Sequence, residues 1–374
     1  MSDFTEKLKI QFTSDNFLVI DIGIHGMKVM EVKRKARDYY IKKVFTMPEM
    51  SKYFTGPDMF NVNGIVDSMS QIIHLERIKT KNVFLSFSSA KLQTKIINIP
   101  ELPEKEIRTF VELEYQKQFP NLNKLTDVVD YMPLGTFIKE GSNQKQLSLL
   151  LAQYSVIDAE RVVKEFKNKK YNVNIIDVGI HGLGNVGRIY NDLENRDIVV
   201  FDIGYNTSQM VFLRDQTVVF SRNLAFGTNT IIKGLQNQEE ITNKEAESIL
   251  HEVGLQAKED IIKGNRTIFA DDYNEMVEGY LTNTLNEAYR SFQSVNSTYG
   301  LNLSHVLLTG GFSAIPDSKE LVQKILEMDV ETWEIDDSDK IRLSNGSKIV
   351  NQTDKVINGA YATCVGMAIR GNFE

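Results

Sequence analysis

The chain has 374 residues, 43 basic and 50 acidic, and its formal charge of -7 argues against nucleic acid as the main ligand. Its 42% hydrophobic and 25% charged content is that of an ordinary globular protein with room for substantial cores. A single cysteine, Cys364, excludes an internal disulfide and gives no sign of an oxidising compartment. The length predicts two or three domains, at roughly 100–200 residues each. The opening MSDFTEKLKIQFTSDN lacks the basic-then-apolar pattern of a signal peptide. No stretch approaches the roughly 20 apolar residues of a membrane-crossing helix. The expected location is the cytoplasm, with any membrane association supplied by a partner.

FLVIDI (17–22) reads as a buried strand, MKVMEVK (27–33) alternates like a second and YYIKKVF (39–45) like a third. Lys33, Arg34, Lys35 and Arg37 between the last two read as a solvated hairpin tip rather than a membrane or nucleic-acid patch. FNVNGIVDSMSQIIHL (60–75) carries Ile65, Val66, Met69, Ile72 and Ile73 at helical spacing. NVFLSFS (82–88) and KLQTKIINIP (91–100) return to strand character. Pro103, Glu104 and Glu106 suit a helix start, and Pro120 stops that helix. DVVDYMPLGTF (127–137) and QLSLLLAQYS (146–155) add two strands, so 81 to about 155 reads as a β-rich insertion with one helix.

A helix over 156–168, the strand VNIIDV (173–178) and a helical segment from Gly187 to Leu193 lead to the strand DIVVFDI (197–203). MVFLRD and TVVFSRNLAF predict a hairpin turning near Asp215 and Gln216. Helices are predicted over 243–253, 273–299 and 319–328. HVLLTGG (305–311) is a buried strand ending in two glycines, and VINGAYATCVGMAIRG (356–371) a final helix rich in small residues. The mixture of strands and helices in both halves predicts an α/β fold.

Two stretches share one grammar. VIDIGIHGMKVMEV and VFDIGYNTSQMVFL each run a buried strand into Asp-x-Gly, a tight turn and a returning alternating strand, about half a chain apart. IIDVGIHGLGNV, from residue 175, matches the first closely in letters but continues as a helix, so the counterpart is the stretch at 200. Glycine allows close backbone approach, and successive N–H groups around a tight turn form a concavity for phosphate. An aspartate beside such a turn can hold a divalent cation that bridges phosphates. Two facing turns would grip a nucleotide tail, with Asp21 and Asp202 as the metal carboxylates. One D-x-G turn alone is more often just a turn; the repetition carries the reading. LLTGGFSAIPDSKEL adds Gly310 and Gly311, bare backbone for a flat ligand, before a helix whose N-terminus suits phosphate.

Together, the two hairpins, the late TGG loop and the terminal small-residue helix resemble the actin-like ATPase fold. That fold is a duplicated, ribonuclease H-like, two-lobe α/β architecture, here with an inserted β-rich subdomain. PELPEKEIRTFVELEYQKQFP, VFDIGYNTSQMVFLRDQTVVFSRNLAFGTNTI, YLTNTLNEAYRSFQSVNSTYGLNLSHVLLTGGFSAIPDSKEL and YATCVGMAIRG are similar to stretches of the PilM family, the actin-like proteins of type IV pilus assembly. The likeness covers nearly the whole chain. It implies a first lobe at 1–80 and 156–199, the insertion at 81–155, and a second lobe at 200–374 with a helical portion at about 235–300.

The resemblance implies ATP or ADP with magnesium. By motif, Asp21, Gly23, Ile24, His25, Gly26 and Lys28 fall in the first phosphate loop, and Asp202, Gly204, Asn206 and Thr207 in the second. Gly227 falls near the phosphates, Glu247 at the ribose, and Gly310, Gly311 and Phe312 on the adenosine side. Asp177 is the one nearby carboxylate for positioning an attacking water. The implied partner is the cytoplasmic N-terminal peptide of a PilN-like membrane protein, at the inner face of the cell membrane. Pilus motor ATPases and a second copy of the chain are further partners it allows; nucleic acid and direct membrane insertion are not implied. The first loop departs from the family's DIGSSSVK. DIGIHGMK offers phosphate no hydroxyl, so slow hydrolysis at most is expected. A small-molecule kinase on the same fold and an FtsA-like filament protein are the competing readings.

Overall fold

The computed structural model describes residues 15–54, 61–87, 92–123, 125–138, 144–190, 196–264, 266–335, 340–350 and 358–372. Residues 60, 88, 91, 191–193 and 356–357 of the expected elements, and 1–14 of the expected first lobe, lie outside them. The chain begins with an antiparallel meander of β1 (Asn16–Ile22), β2 (Gly26–Lys35) and β3 (Asp38–Pro48). Leu18, Val19 and Ile20 are all fully buried, because helices cover both faces of this sheet. Helix α1 (Val62–Leu75) starts where the Asn61 side chain accepts from the Gly64 N–H, and it buries Ile65, Val66, Met69 and Ile73. β4 (Asn82–Phe87) then pairs in parallel with β1.

The insertion consists of β5 (Gln93–Pro100), α2 (Glu104–Gln118), β6 (Asp127–Ile138) and β7 (Lys145–Ser155). Its sheet runs β5-β7-β6, and α2 lays Ile107 and Val111 against Leu147, Leu149 and Leu151. Helix α3 (Val156–Asn168) and β8 (Asn172–Asp177) return the chain to the first sheet, and α4 (Gly179–Ile189) leaves it. The sequence reading placed 82–88 in the insertion. In the fold β4 lies between β1 and β8, so the insertion's own sheet begins at Gln93. An apolar run marks a strand but does not name its partner.

The second lobe repeats the plan. Its strands are β9 (Ile198–Ile203), β10 (Ser208–Arg214) and β11 (Thr217–Leu224). Next come α5 (Thr228–Glu239), α6 (Asn243–Val253), a small hairpin of β12 (Ile261–Lys263) and β13 (Arg266–Ile268), and the long α7 (Ala270–Tyr299). β14 (His305–Thr309), α8 (Ser318–Leu326) and β15 (Asp329–Thr332) complete its sheet. The two sheets run β3-β2-β1-β4-β8 and β11-β10-β9-β14-β15, each a three-stranded meander followed by two parallel strands. This is the duplication expected from the repeated motif, with β9 the counterpart of β1 and the 175 stretch a strand-to-helix junction. The turn at Asp215 and Gln216 has positive φ at both residues, 45° and 63°.

The last segment departs from the expected boundaries. β16 (Ile341–Val350) pairs in parallel with β3, Ile341 opposite Tyr39, and so joins the first sheet. α9 (Ala362–Ala368), shorter than the predicted final helix, packs against β1 and β2. Residues 341–350 and 362–368 therefore belong structurally with the first lobe rather than the second. α9 and α4 form the layer between the two sheets, α4 lying on β9, β10 and β11. They cross so closely that a Cβ on Gly366 would sit 1.7 Å from the carbonyl oxygen of Gly182. The insertion sits against β11, where the Asn98 side chain donates to Val219 O at 3.1 Å and Thr217 Oγ1 to Thr136 O at 3.1 Å. It thereby covers an edge strand that would otherwise be open.

Candidate functional site

The two meanders end in matching turns. Gly23 N–H donates to Gly26 O at 3.1 Å, and Gly204 N–H donates to Thr207 O at 3.1 Å. A Cβ at Gly23 would lie 3.0 Å from Gly26 O and one at Gly204 2.9 Å from Thr207 O, so both turns are too tight for a side chain there. One residue before each turn's flank stands the aspartate. Asp21 faces Lys28 on β2 and Ser86 on β4; Asp202 faces Gln209 on β10 and Thr309 on β14. The neighbours repeat as the aspartates do. Ser86 bonds the Asp21 carboxylate, and Thr309 Oγ1 donates to Asp202 Oδ2 at 3.1 Å. These hydroxyls were not singled out in the sequence. Their signal was there, in a hydroxyl at the carboxyl end of each second parallel strand, LSFS and LLTGG.

Charge in this cleft is incompletely balanced. Lys28 Nζ lies 3.9 Å from Asp21 Oδ2 and is the cation facing both carboxylates. Burial raises the Asp21 carboxyl above its usual range, with Lys28 and Ser86 opposing the shift. Burial pushes Asp202 up to about 6; Lys28 and Thr309 oppose this, and Asp21 adds to it by repulsion. Two carboxylates share one lysine, the arrangement a further cation would relieve.

The second turn is held from behind. Thr228 N–H donates to Gly204 O at 3.0 Å and Asn229 N–H to Tyr205 O at 2.8 Å, so the start of α5 ties down the turn. A Cβ at Gly227 would lie 2.2 Å from Tyr205 O, which makes Gly227 the residue that lets α5 approach. Asn206 and Thr207 remain exposed at the turn. Gly310 has φ +84°, and a Cβ there would sit 2.3 Å from Ile203 O. Gly311 is exposed, and a Cβ there would meet nothing within 4 Å, so its backbone is open to a ligand.

Two expected site residues are placed elsewhere. The Phe312 side chain is fully buried in the second lobe's core and lines no open surface. The preceding glycines force the chain inward, and a phenylalanine at that point fills the core. Asp177 is likewise withdrawn from the cleft. Its Oδ1 accepts from Val178 N–H at 2.8 Å, and its Oδ2 accepts from Arg370 at 2.9 Å and lies 2.8 Å from His181 Nδ1. Burial alone would raise its pKa, but His181 and Arg370 outweigh that and hold it at about 2. Three of its four lone-pair positions are taken, and a carboxylate held at about 2 is a poor base for an attacking water. His25 and Glu247 do meet, with His25 Nε2 2.8 Å from Glu247 Oε1. Ile24 contributes no polar group to the first turn.

Residues 19–372 match the family model of the type IV pilus assembly protein PilM. The chain belongs to the PilM family. A solved PilM-PilN type IV pilus biogenesis complex is similar to it in fold, with a TM-score of 0.72 at 17% identity over 95% of this chain and 98% of that one. A diol dehydratase-reactivating factor in nucleotide-free form is similar at a TM-score of 0.54 and 9% identity, over 96% of this chain and 100% of that one. The PilM-family fold is the actin-like two-lobe α/β fold, in agreement with the duplicated sheets described above. Among the described residues no helix is long and apolar enough to cross a membrane.

Proposed function

We propose that this PilM-family protein is a nucleotide-binding adaptor of type IV pilus assembly. It binds the cytoplasmic N-terminal peptide of a PilN-like membrane protein and links it, at the inner face of the membrane, to the pilus motor ATPases. The observation that carries the nucleotide reading is the pair Asp21 and Asp202, which repel each other and both feel Lys28, each standing just before one of two equivalent glycine turns. The residues fit ATP or ADP with magnesium. No cluster of three or more His, Cys, Asp or Glu forms a metal site among the described residues, and Mg²⁺ typically takes one or two carboxylates and fills its shell with water and phosphate. Asp21 and Asp202 would hold the ion through that shell, and Lys28 would face the phosphates. Bound there, the ion would neutralise phosphate charge. Gly311 backbone would border the adenosine.

The engagement of Asp177 supports binding with slow turnover at most, and it leaves Asp202 as the carboxylate a small-molecule kinase would have to use as its base. The insertion supplies the peptide surface in this reading. The order β5-β7-β6 leaves β5 and β6 as its outer strands, and Leu113 stands exposed on α2, which suits strand addition or a groove. Titrating the N-terminal peptide of the PilN-like protein into the full chain by calorimetry, with and without Mg-ATP, tests the adaptor role. Saturable binding of one peptide per chain is expected. Absence of heat in both conditions would turn the reading toward a filament protein.

A further inference from the structure

His25, Tyr205 and Glu247 come from three separate elements and meet across the mouth of the cleft. His25 stands on the first turn. Its ring stacks on that of Tyr205, on the second turn, with centroids 4.1 Å apart and planes at 14°. Its Nε2 lies 2.8 Å from Oε1 of Glu247 on α6. A second bridge runs beside the first: Lys244 Nζ donates to Glu49 Oε1 at 3.0 Å. Glu49 is held at φ 57°, a left-handed conformation, and the next residue, Met50, donates its N–H to His25 O at 3.3 Å. The stack, the His25–Glu247 contact and the Lys244–Glu49 ion pair each join a first-lobe residue to a second-lobe residue.

We propose that His25, Tyr205 and Glu247 form an inter-lobe clasp that shuts the cleft, and that nucleotide entry competes with it. The identity of the entering ligand rests on the nucleotide reading above; the clasp does not. The two turns are the two walls of the phosphate site. A side chain that spans from one wall to the other stands in the path of whatever enters between them. The polar group of this turn's side chains belongs to His25 alone, since Ile24 and Gly26 offer none, and it is spent on Glu247 rather than left for phosphate. Glu247 in turn is held ionised first by the hydrogen bond from His25, so the carboxylate expected at the ribose is already engaged. A ligand that needs the open form binds with an apparent affinity reduced by the open fraction.

The test uses the full chain with cysteines introduced at Lys52 and His251, both exposed and on opposite lobes. Native Cys364 is fully buried and does not take a spin label. Pulsed electron–electron resonance reads the distance between labels without nucleotide, in the parent protein, in His25→Ala and in Tyr205→Leu. Both substitutions should lengthen and broaden the distribution. Mg-ATP affinity should rise, by about tenfold in His25→Ala, the effect of losing one ordinary net hydrogen bond that favours the closed form. An unchanged distance distribution in both variants overturns the clasp. A longer distance with unchanged or weaker nucleotide affinity overturns the competition. If neither the parent nor the variants bind Mg-ATP while the distance still lengthens, the clasp stands and the nucleotide reading fails.

Discussion

IDIGIHG at 20–26 and IDVGIHG at 176–182 differ in one residue, yet their aspartates and histidines have opposite fates. After the first stretch the chain alternates as MKVMEV, a period of two, and returns as β2. After the second, Leu183, Val186 and Ile189 fall at helical spacing, and the chain runs on as α4. The helix places His181 one turn from Asp177 and closes the pair at 2.8 Å. The turn instead carries His25 away from Asp21 and across to Glu247. Asp177 is thus over-satisfied, with its pKa near 2, while Asp21 and Asp202 are under-satisfied, with Asp202 near 6. Local letters do not assign a role. A buried carboxylate is structural where cations already compensate it, and available to a ligand where they do not.

The contrast breaks most visibly at Asp177. Asp177→Asn removes the buried charge that faces both Arg370 and His181 and should cost about 3–5 kcal/mol, read by denaturant unfolding, while Mg-ATP affinity stays within about twofold. Next comes the crossing itself. Gly366→Ala forces a methyl onto the Gly182 carbonyl and should cost about 3 kcal/mol, read as a fall in Tm.

The cleft responds to pH with the opposite sign. Asp202 has its folded pKa raised from 3.8 to about 6, so the native state holds the proton more tightly than the unfolded state. Its contribution is most favourable below 3.8, and stability falls as pH rises through that value to about 6, by roughly 2–3 kcal/mol. Asp202→Asn should flatten that window. Asp177, depressed from 3.8 to about 2, contributes stability above 3.8 that is lost as pH falls toward 2, and Asp177→Asn should flatten that lower window instead. The smallest effect sharpens the comparison between the lobes. Gln209 stands opposite Asp202 as Lys28 stands opposite Asp21. Gln209→Lys should stabilise the unliganded protein at pH 7 by about 1 kcal/mol, a net charge-assisted hydrogen bond at a half-buried site.

Much of this was legible in the sequence where the signal was local. β1, β2, β9 and β10, the α6 and α7 helices and the Asp215–Gln216 turn follow from periodicity and turn chemistry. What escaped depended on distant partners. β16 takes its place from β3, with Ile341 opposite Tyr39, and nothing near residue 341 announces that. β4 reads as a strand in either sheet until its pairing with Leu18 through Ile22 is known. The matching turns that carry Asp21 and Asp202, with their glycines, were legible. Ser86 and Thr309 escaped because a strand-end hydroxyl acquires meaning only from the carboxylate beside it. Phe312 and Asp177 were misplaced because sequence spacing does not say into which layer a side chain turns.

The most direct test of the central claim is an equilibrium titration of Mg-ATP into four proteins: the native chain, Asp21→Asn, Asp202→Asn and Asp177→Asn. The account predicts binding to the native chain, a loss of more than about tenfold in each cleft variant, and a change within about twofold for Asp177→Asn. Equal affinities across all four, or a loss at Asp177 as large as that at Asp202, would contradict it.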